Sequence, residues 1–325
     1  MCFQSEPITP NLRETRKTMA LHKFLNPKND VAFRKIFGTE KNKDILLHFL
    51  NDMLVFREKK PITEVTFLKT IQDPEIAAKK TSIVDILCQD EAGNAYVVEM
   101  QVAKSKGFEK RAQYYAAKAY IAQMDKGDQR YYNLKEVIFL AIADFIMFPD
   151  KENYKSDHVI LDKDTYQNDL KDFSFTFLEL EKFTHDKDHL SSMIEKWAYY
   201  FKHAEETSEE DLQQIFEKDL IIRKAYEELD RFHWNEDELR DYESVVKRDR
   251  DNQAVLEEHI DQAIKKGIEQ GMEIGEERGI EKGHREALVK VARNMLQQGL
   301  SIQNIVSATS LTTSEIQKIQ LEDKS

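Results

Sequence analysis

TSIVDILCQDEAGNAYVVEMQVA, residues Thr81–Ala103, sets two apolar runs rich in Val, Ile and Tyr on either side of Glu91-Ala92-Gly93-Asn94. Those four residues are turn-forming types, so the stretch predicts two antiparallel strands joined by a hairpin. Side chains alternate along a strand. Asp85 therefore shares a face with Ile83 and Leu87, and Glu99 and Gln101 share one with Val97 and Ala103. Three polar groups interrupt faces that otherwise belong in a core.

A carboxylate removed from water without a partner costs several kcal/mol. Asp85 and Glu99 can meet that cost as structural acids, each held by a hydrogen-bond partner at a sheet rim. The competing reading is a divalent cation between them. Mg²⁺ is typically held by one or two carboxylates plus waters and substrate phosphates, which is the number of acids on offer.

Asp85, a turn, then Glu99-Met100-Gln101 resembles the PD-(D/E)XK nuclease signature, with Gln in place of the usual Lys. The preceding segment Asn29-Asp-Val-Ala-Phe-Arg-Lys-Ile-Phe-Gly38, the following Lys110-Arg-Ala-Gln-Tyr-Tyr115 and a Gly-punctuated tail extend the resemblance over about residues 21–290, to the Rpn-type recombination-promoting nuclease or transposase group. The resemblance implies an α/β restriction-endonuclease-like core, a mixed sheet flanked by helices, with a helical C-terminal extension. It implies a DNA endonuclease that uses Mg²⁺ or Mn²⁺ and serves recombination, mobile elements or defence. Asp85 and Glu99 would hold the metal, with a main-chain carbonyl near Met100 as a further ligand. Gln101 would orient the attacking water, and Lys104, Lys80 or Arg111 would supply the missing positive charge. Asp30 would be an extra acid from the first helix. The alternative is a nuclease-like scaffold, weakly active or inactive, that works through protein contacts.

The elements around the hairpin fit an α/β chain. After Pro27, Asn29 or Asp30 can cap a helix carrying Val31, Phe33, Ile36 and Phe37 and ending near Gly38, so capping and metal binding both remain open for Asp30. A second helix is predicted over Asp44–Leu54 and a strand over Ile62–Lys69. Beyond Gly107 a helix is predicted over Phe108–Met124, on which Arg111, Tyr114, Tyr115 and Lys118 lie three, four or seven apart and share a side. That side is either an ordinary solvated face or a surface where Arg111 and Lys118 meet DNA phosphates while tyrosines such as Tyr114 pack or stack. Val137–Phe145 is nearly all apolar and predicts an interior strand, with further strands at His158–Leu161 and Phe173–Leu180.

From Leu190 to Asp251 the pattern is helical. Gly267, Gly271, Gly275, Gly279 and Gly283 then recur every fourth residue beside Ile264, Ile268, Met272 and Ile280. Five helix-weakening glycines and the Glu269, Glu273, Glu277, Glu281 ladder predict a helix that is marginal alone. A flexible linker and close approach to a partner helix, giving a homo-oligomer, both account for it. Glu286–Gln297, then segments capped at Ser301 and Thr312, resemble a helix-turn-helix. Its last helix offers Lys318 and Lys324 against Glu315, Glu322 and Asp323, which points to protein contact. The predicted division is a disordered terminus to residue 20, a nuclease core over 21–190, a helical subdomain over 191–256, a Gly-periodic linker over 257–290 and a small helical module over 291–325.

Charge is unevenly placed. The net charge is −12, yet residues 1–130 carry 22 Lys and Arg against 17 Asp and Glu. The site-bearing part is thus mildly basic, and the acidic remainder argues against broad nonspecific DNA binding. No apolar run approaches the roughly 20 residues of a membrane span, and the first 20 residues lack the apolar core of a secretory signal, so the cytoplasm is expected. With Cys2 and Cys88 the only cysteines and no close metal-type pair among nine His, neither a disulfide framework nor a Cys/His metal site is expected.

Overall fold

The computed structural model describes residues 22–54, 60–68, 84–124, 130–217 and 219–322. The predicted disordered terminus, Lys80, Ile83 and Lys69 lie outside these. Contacts divide the chain into two units, 1–247 and 248–325.

The first unit is built on a six-stranded sheet. Its strands are β1 (Val65–Phe67), β2 (Ile86–Asp90), β3 (Ala95–Gln101), β4 (Val137–Ala143), β5 (Lys155–Val159) and β6 (Phe173–Glu179), in the order β1-β2-β3-β4-β6-β5. β2 and β3 form the predicted hairpin, with Ile86 opposite Val98 and Gln89 opposite Ala95. Its turn is held by Asp90, whose Oδ1 accepts from the N–H groups of Ala92 and Asn94 at 2.9 and 2.8 Å. Gly93 takes φ 87°, a left-handed conformation that costs a residue without Cβ little. β4 lies parallel to β3 and to β6, so the sheet is mixed. All seven residues of β4 are buried, as its continuous apolar run predicts.

Each sheet face has its own cover. On one, Tyr96, Val98 and Met100 of β3 and Ile138, Leu140 and Ile142 of β4 join a large core with α1 (Asp30–Phe37), α2 (Lys43–Met53), α4 (Met193–His203), α5 (Glu209–Phe216) and α6 (Leu220–Leu229). Phe37, Phe49 and Trp197 meet there with ring centroids 5.1–5.9 Å apart. The chain before α1 is stitched to the end of α6 by Leu25 N–H to Leu229 O (2.9 Å) and to the segment after it by Arg231 N–H to Lys23 O (3.0 Å), which fixes where α1 enters. On the other face α3 (Phe108–Ile121) lays Phe108, Ala112, Ala116 and Ala119 against Val97, Phe139 and Ala141. Alanines at that spacing let the helix backbone sit close to the strands.

Several boundaries shift from expectation. β1 is three residues long, β5 begins at Lys155 rather than His158, and α3 ends at Ile121 rather than Met124. Asp85 stands just before β2 instead of inside it, because its carboxylate accepts the N–H of Met100 (2.9 Å) where a backbone carbonyl would continue the ladder.

In the second unit, Ala292, Ile305, Leu311, Ile316 and Ile319 form a small core between the end of α7 (Glu236–Gln297), α8 (Ile302–Thr309) and α9 (Thr313–Glu322). Ser301 caps α8. Thr312 and Glu315 make the reciprocal bonds of a capping box before α9. α7 continues unbroken through all five periodic glycines. Around them Ile264, Ile268, Met272 and Ile280 are exposed, and a Cβ added at any of the five would meet nothing within 4 Å.

Candidate metal-binding and active site

The site forms where β2 begins and β3 ends. Since Ile86 pairs with Val98, the residue before the ladder, Asp85, comes level with Glu99. Sheet pleating turns Glu99 and Gln101 toward α3. α1 reaches the same place from the other cover of the sheet: Arg34 Nη2 donates to Asp85 Oδ1 at 2.9 Å. Both Asp85 oxygens are thus engaged, one by Met100 N–H and one by Arg34.

Glu99 is 5 % exposed, and its Oε1 is buried with no hydrogen-bond partner. Burial first, then repulsion from Asp85, pushes the Glu99 carboxyl up to about 9, against the pull of Arg111 and Arg34. Burial likewise raises Asp85, opposed by the Met100 N–H and Arg34 and reinforced by the nearby Asp30 carboxylate. Burial and the adjacent Asp85 carboxylate both favour the protonated form of Glu99.

Glu179 at the end of β6 is a useful contrast. It is fully buried, yet Oε1 takes Lys182 Nζ (2.9 Å) and Oε2 takes the N–H groups of Met147 and Phe148 (2.7 and 3.0 Å). That is how this fold satisfies a structural acid, and Glu99 lacks it. An orphaned buried carboxylate oxygen beside a second carboxylate is a set of hard oxygen donors that fits Mg²⁺ or Mn²⁺. Among the described residues, no three His, Cys, Asp or Glu side chains are grouped so as to hold an ion.

Of the cations expected to replace the signature lysine, Arg111 is the one among the described residues whose charge acts on Glu99. Lys104 Nζ donates to the carbonyl of Ile146 (3.1 Å), and Lys80 lies outside the described residues. Arg111 Nη2 donates to Gln101 Oε1, its guanidinium lies 4.8 Å from the Phe108 ring centroid, and its Nε is buried without a partner. Gln101 Nε2 in turn donates to Ala103 O at 2.7 Å. Gln101 thus holds Arg111 through its oxygen, with a second lone pair and a second N–H still available.

Along α3, Tyr114 is 49 % exposed with Lys118 Nζ 5.7 Å from its ring centroid, and Arg111 lies 6.0 Å from the ring of Tyr115. The four residues do share a side. On α1 the cap is Asn29, whose side chain accepts Val31 N–H at 2.9 Å, so Asp30 is not needed as the cap and sits in the first turn. Arg34 is the residue the sequence reading passed over. Its one signal was the i,i+4 spacing from Asp30, which puts both on one side of α1.

Residues 27–259 match the family model described as PD-(D/E)XK nuclease family transposase. The chain belongs to that family. Residues 285–321 match a second model, the Rpn/YhgA-like nuclease family C-terminal HTH domain, over the three-helix core of the second unit. No curated protein and no solved structure matches the chain. The mixed six-stranded sheet with helices on both faces is consistent with the PD-(D/E)XK-like α/β fold of that family. Among the described residues no helix is long and apolar enough to cross a membrane.

Proposed function

We propose that this chain is a DNA endonuclease that hydrolyses phosphodiester bonds with Mg²⁺ or Mn²⁺ held by Asp85 and Glu99. The observation that carries the reading is the buried, unpartnered Oε1 of Glu99 next to Asp85, with Arg111 beside it. A bound divalent ion lowers the pKa of a coordinated water and offsets charge building on the phosphate. The chain's own residues do the rest. Asp85 and Glu99 would hold the ion through their carboxylate oxygens, with the Asp30 carboxylate of α1 nearby. Arg111, kept in place by Gln101, supplies the positive charge that Lys provides in the commoner signature. Lys118 and Tyr114 extend a DNA-facing side along α3.

The module matched as an HTH domain supports DNA as the partner. Its last helix is acidic and two of its basic residues already face acids, Arg285 to Glu315 and Arg293 to Glu322 (3.9 Å), so phosphate contact falls chiefly to the core. The exposed Ile264, Ile268, Met272 and Ile280 beside the glycine ridge support pairing with a second copy. A DNA-cutting enzyme of recombination, mobile elements or defence belongs in the cytoplasm.

The test is conversion of supercoiled plasmid with Mg²⁺, with Mn²⁺ and with EDTA. The wild type should cleave with either ion and stop with EDTA, whereas Asp85→Ala and Glu99→Ala should be inactive with near-UV circular dichroism unchanged. Cleavage that survives both substitutions would remove the assignment. Loss of the dichroism signal in both would make the acids structural.

A further inference from the structure

Arg34 is placed oddly for a structural ion pair. Its backbone is fixed, since Ala32, Phe33, Ile36 and Phe37 of α1 are all fully buried. Its side chain is 46 % exposed while that of its partner Asp85 is 9 % exposed. Among the described residues its hydrogen bond to Asp85 Oδ1 is a single, end-on contact through Nη2. A guanidinium carries five donors in a fork that suits a phosphate better than one carboxylate oxygen. Asp85 Oδ2 accepts Met100 N–H and Oδ1 accepts Arg34, so a cation at Asp85 would meet the guanidinium charge on the same carboxylate.

We infer that Arg34 is a two-position residue: in the metal-free protein it neutralises Asp85, and when a divalent ion takes Asp85 and Glu99 it turns outward to grip a phosphate of the DNA strand being cut. The inference rests on the metal-site reading above. Like charges cannot share the space beside Asp85, and because the α1 backbone is anchored the adjustment is confined to the arginine side chain. The exposed half of that side chain leaves it a path toward solvent, where the substrate backbone arrives. Asp30, one turn earlier on the same side of α1, keeps negative charge near the site after Arg34 leaves and so favours the incoming ion. Arg34 thereby links cation entry to DNA binding, since the same ion that completes the site releases a phosphate-binding donor.

The experiment uses the full chain and Ca²⁺, which occupies oxygen sites without supporting turnover. Ca²⁺ binding is measured by calorimetry without DNA, and DNA binding by fluorescence anisotropy with and without Ca²⁺, for wild type, Arg34→Ala, Arg34→Lys and Asp85→Ala. Without DNA, Arg34→Ala should bind Ca²⁺ several-fold tighter than wild type, because the competing charge has gone. With Ca²⁺ present its affinity for DNA should fall about tenfold, while Arg34→Lys keeps wild-type Ca²⁺ affinity and recovers part of the DNA affinity. In cleavage assays the Ala substitution should raise KM more than it lowers kcat. Weaker Ca²⁺ binding by Arg34→Ala would mean that Arg34 merely orders Asp85 and would overturn the inference, as would unchanged affinity for both ligands. If wild type and Asp85→Ala alike bind no Ca²⁺, the metal-site reading itself fails. A wild type that binds Ca²⁺ through Asp85 while Arg34→Ala matches it leaves that reading standing and removes only the role of Arg34.

Discussion

Glu99 makes the metal-free protein less stable as pH rises. Burial and the Asp85 carboxylate push its carboxyl up to about 9 in the fold, against 4.5 for a free glutamate. Between those values the folded chain binds more protons than the unfolded one, so stability is greatest on the acid side of this window and declines through it. Asp85, also raised, acts in the same direction. Glu99→Gln removes the ionisation, and without metal it should unfold at higher temperature than wild type at pH 8, by on the order of 1–3 kcal/mol, with little difference near pH 4.5. Added Mg²⁺ should raise the midpoint of wild type and not of Glu99→Gln. A midpoint gap independent of pH would show that Glu99 is ionised and satisfied in the fold. Gln101 and Arg111 form the second residue-scale pair. Gln101→Lys alone sets two cations at one hydrogen bond and should cut the cleavage rate, as should Arg111→Gln alone. The double substitution restores one cation and one amide, and should recover more activity than the singles predict if added. Strict additivity would place the two residues in separate roles.

At the scale of elements, α3 carries Arg111 to the site and is held there by small residues. Ala112 and Ala116 are fully buried against the sheet. Ala112→Leu should therefore lift the N-terminal half of α3, cost about 1–3 kcal/mol and lower cleavage by displacing Arg111. Gln113→Ala, on the exposed side, should leave both stability and cleavage near wild type. Normal cleavage by Ala112→Leu would mean that the depth of α3 does not set the position of Arg111. α7 gives the opposite expectation. Its glycines face open space within the chain, so Gly271→Ala and Gly275→Ala should each raise helix stability by about 1 kcal/mol. If the ridge receives a second copy, the same changes should reduce the sedimenting mass. More helix with mass unchanged would leave the ridge without a partner.

For the whole molecule, charge and mass divide the labour. The mildly basic residues 1–130 include every residue proposed at the site, and the acidic surplus lies beyond them. Deleting residues 257–325 removes the glycine ridge and the HTH-matched module but no proposed site residue. The shortened chain should sediment at lower mass and yield nicked circles in place of linear plasmid, with Mg²⁺-dependent single-strand cutting kept. Complete loss of cutting would give the tail a direct part in the chemistry.

Local chemistry was enough to read much of this protein from its sequence. Alternation and the turn residues around Gly93 gave the hairpin, the nearly continuous apolar run of Val137–Phe145 gave a buried central strand, observed over Val137–Ala143, and Ser301 and Thr312 gave caps, because each rests on residues a few positions apart. The pairing of Asp85 with Glu99 was legible for the same reason, being a property of one hairpin register. Whether those acids are satisfied was not, since a hydrogen-bond partner can come from anywhere in the chain. Only the folded structure shows Glu179 fully bonded and Glu99 Oε1 with no partner. The placement of the cations was also tertiary. Lys104, Lys80 and Arg111 were equal candidates by composition, and the packing of α3 on the sheet brought Arg111 to Glu99 while Lys104 turned to Ile146. Arg34 reaches Asp85 across 51 positions of sequence, and no periodicity carries that contact. It exists because the core that seats α1 against the sheet sets the end of that helix beside the first residue of the hairpin.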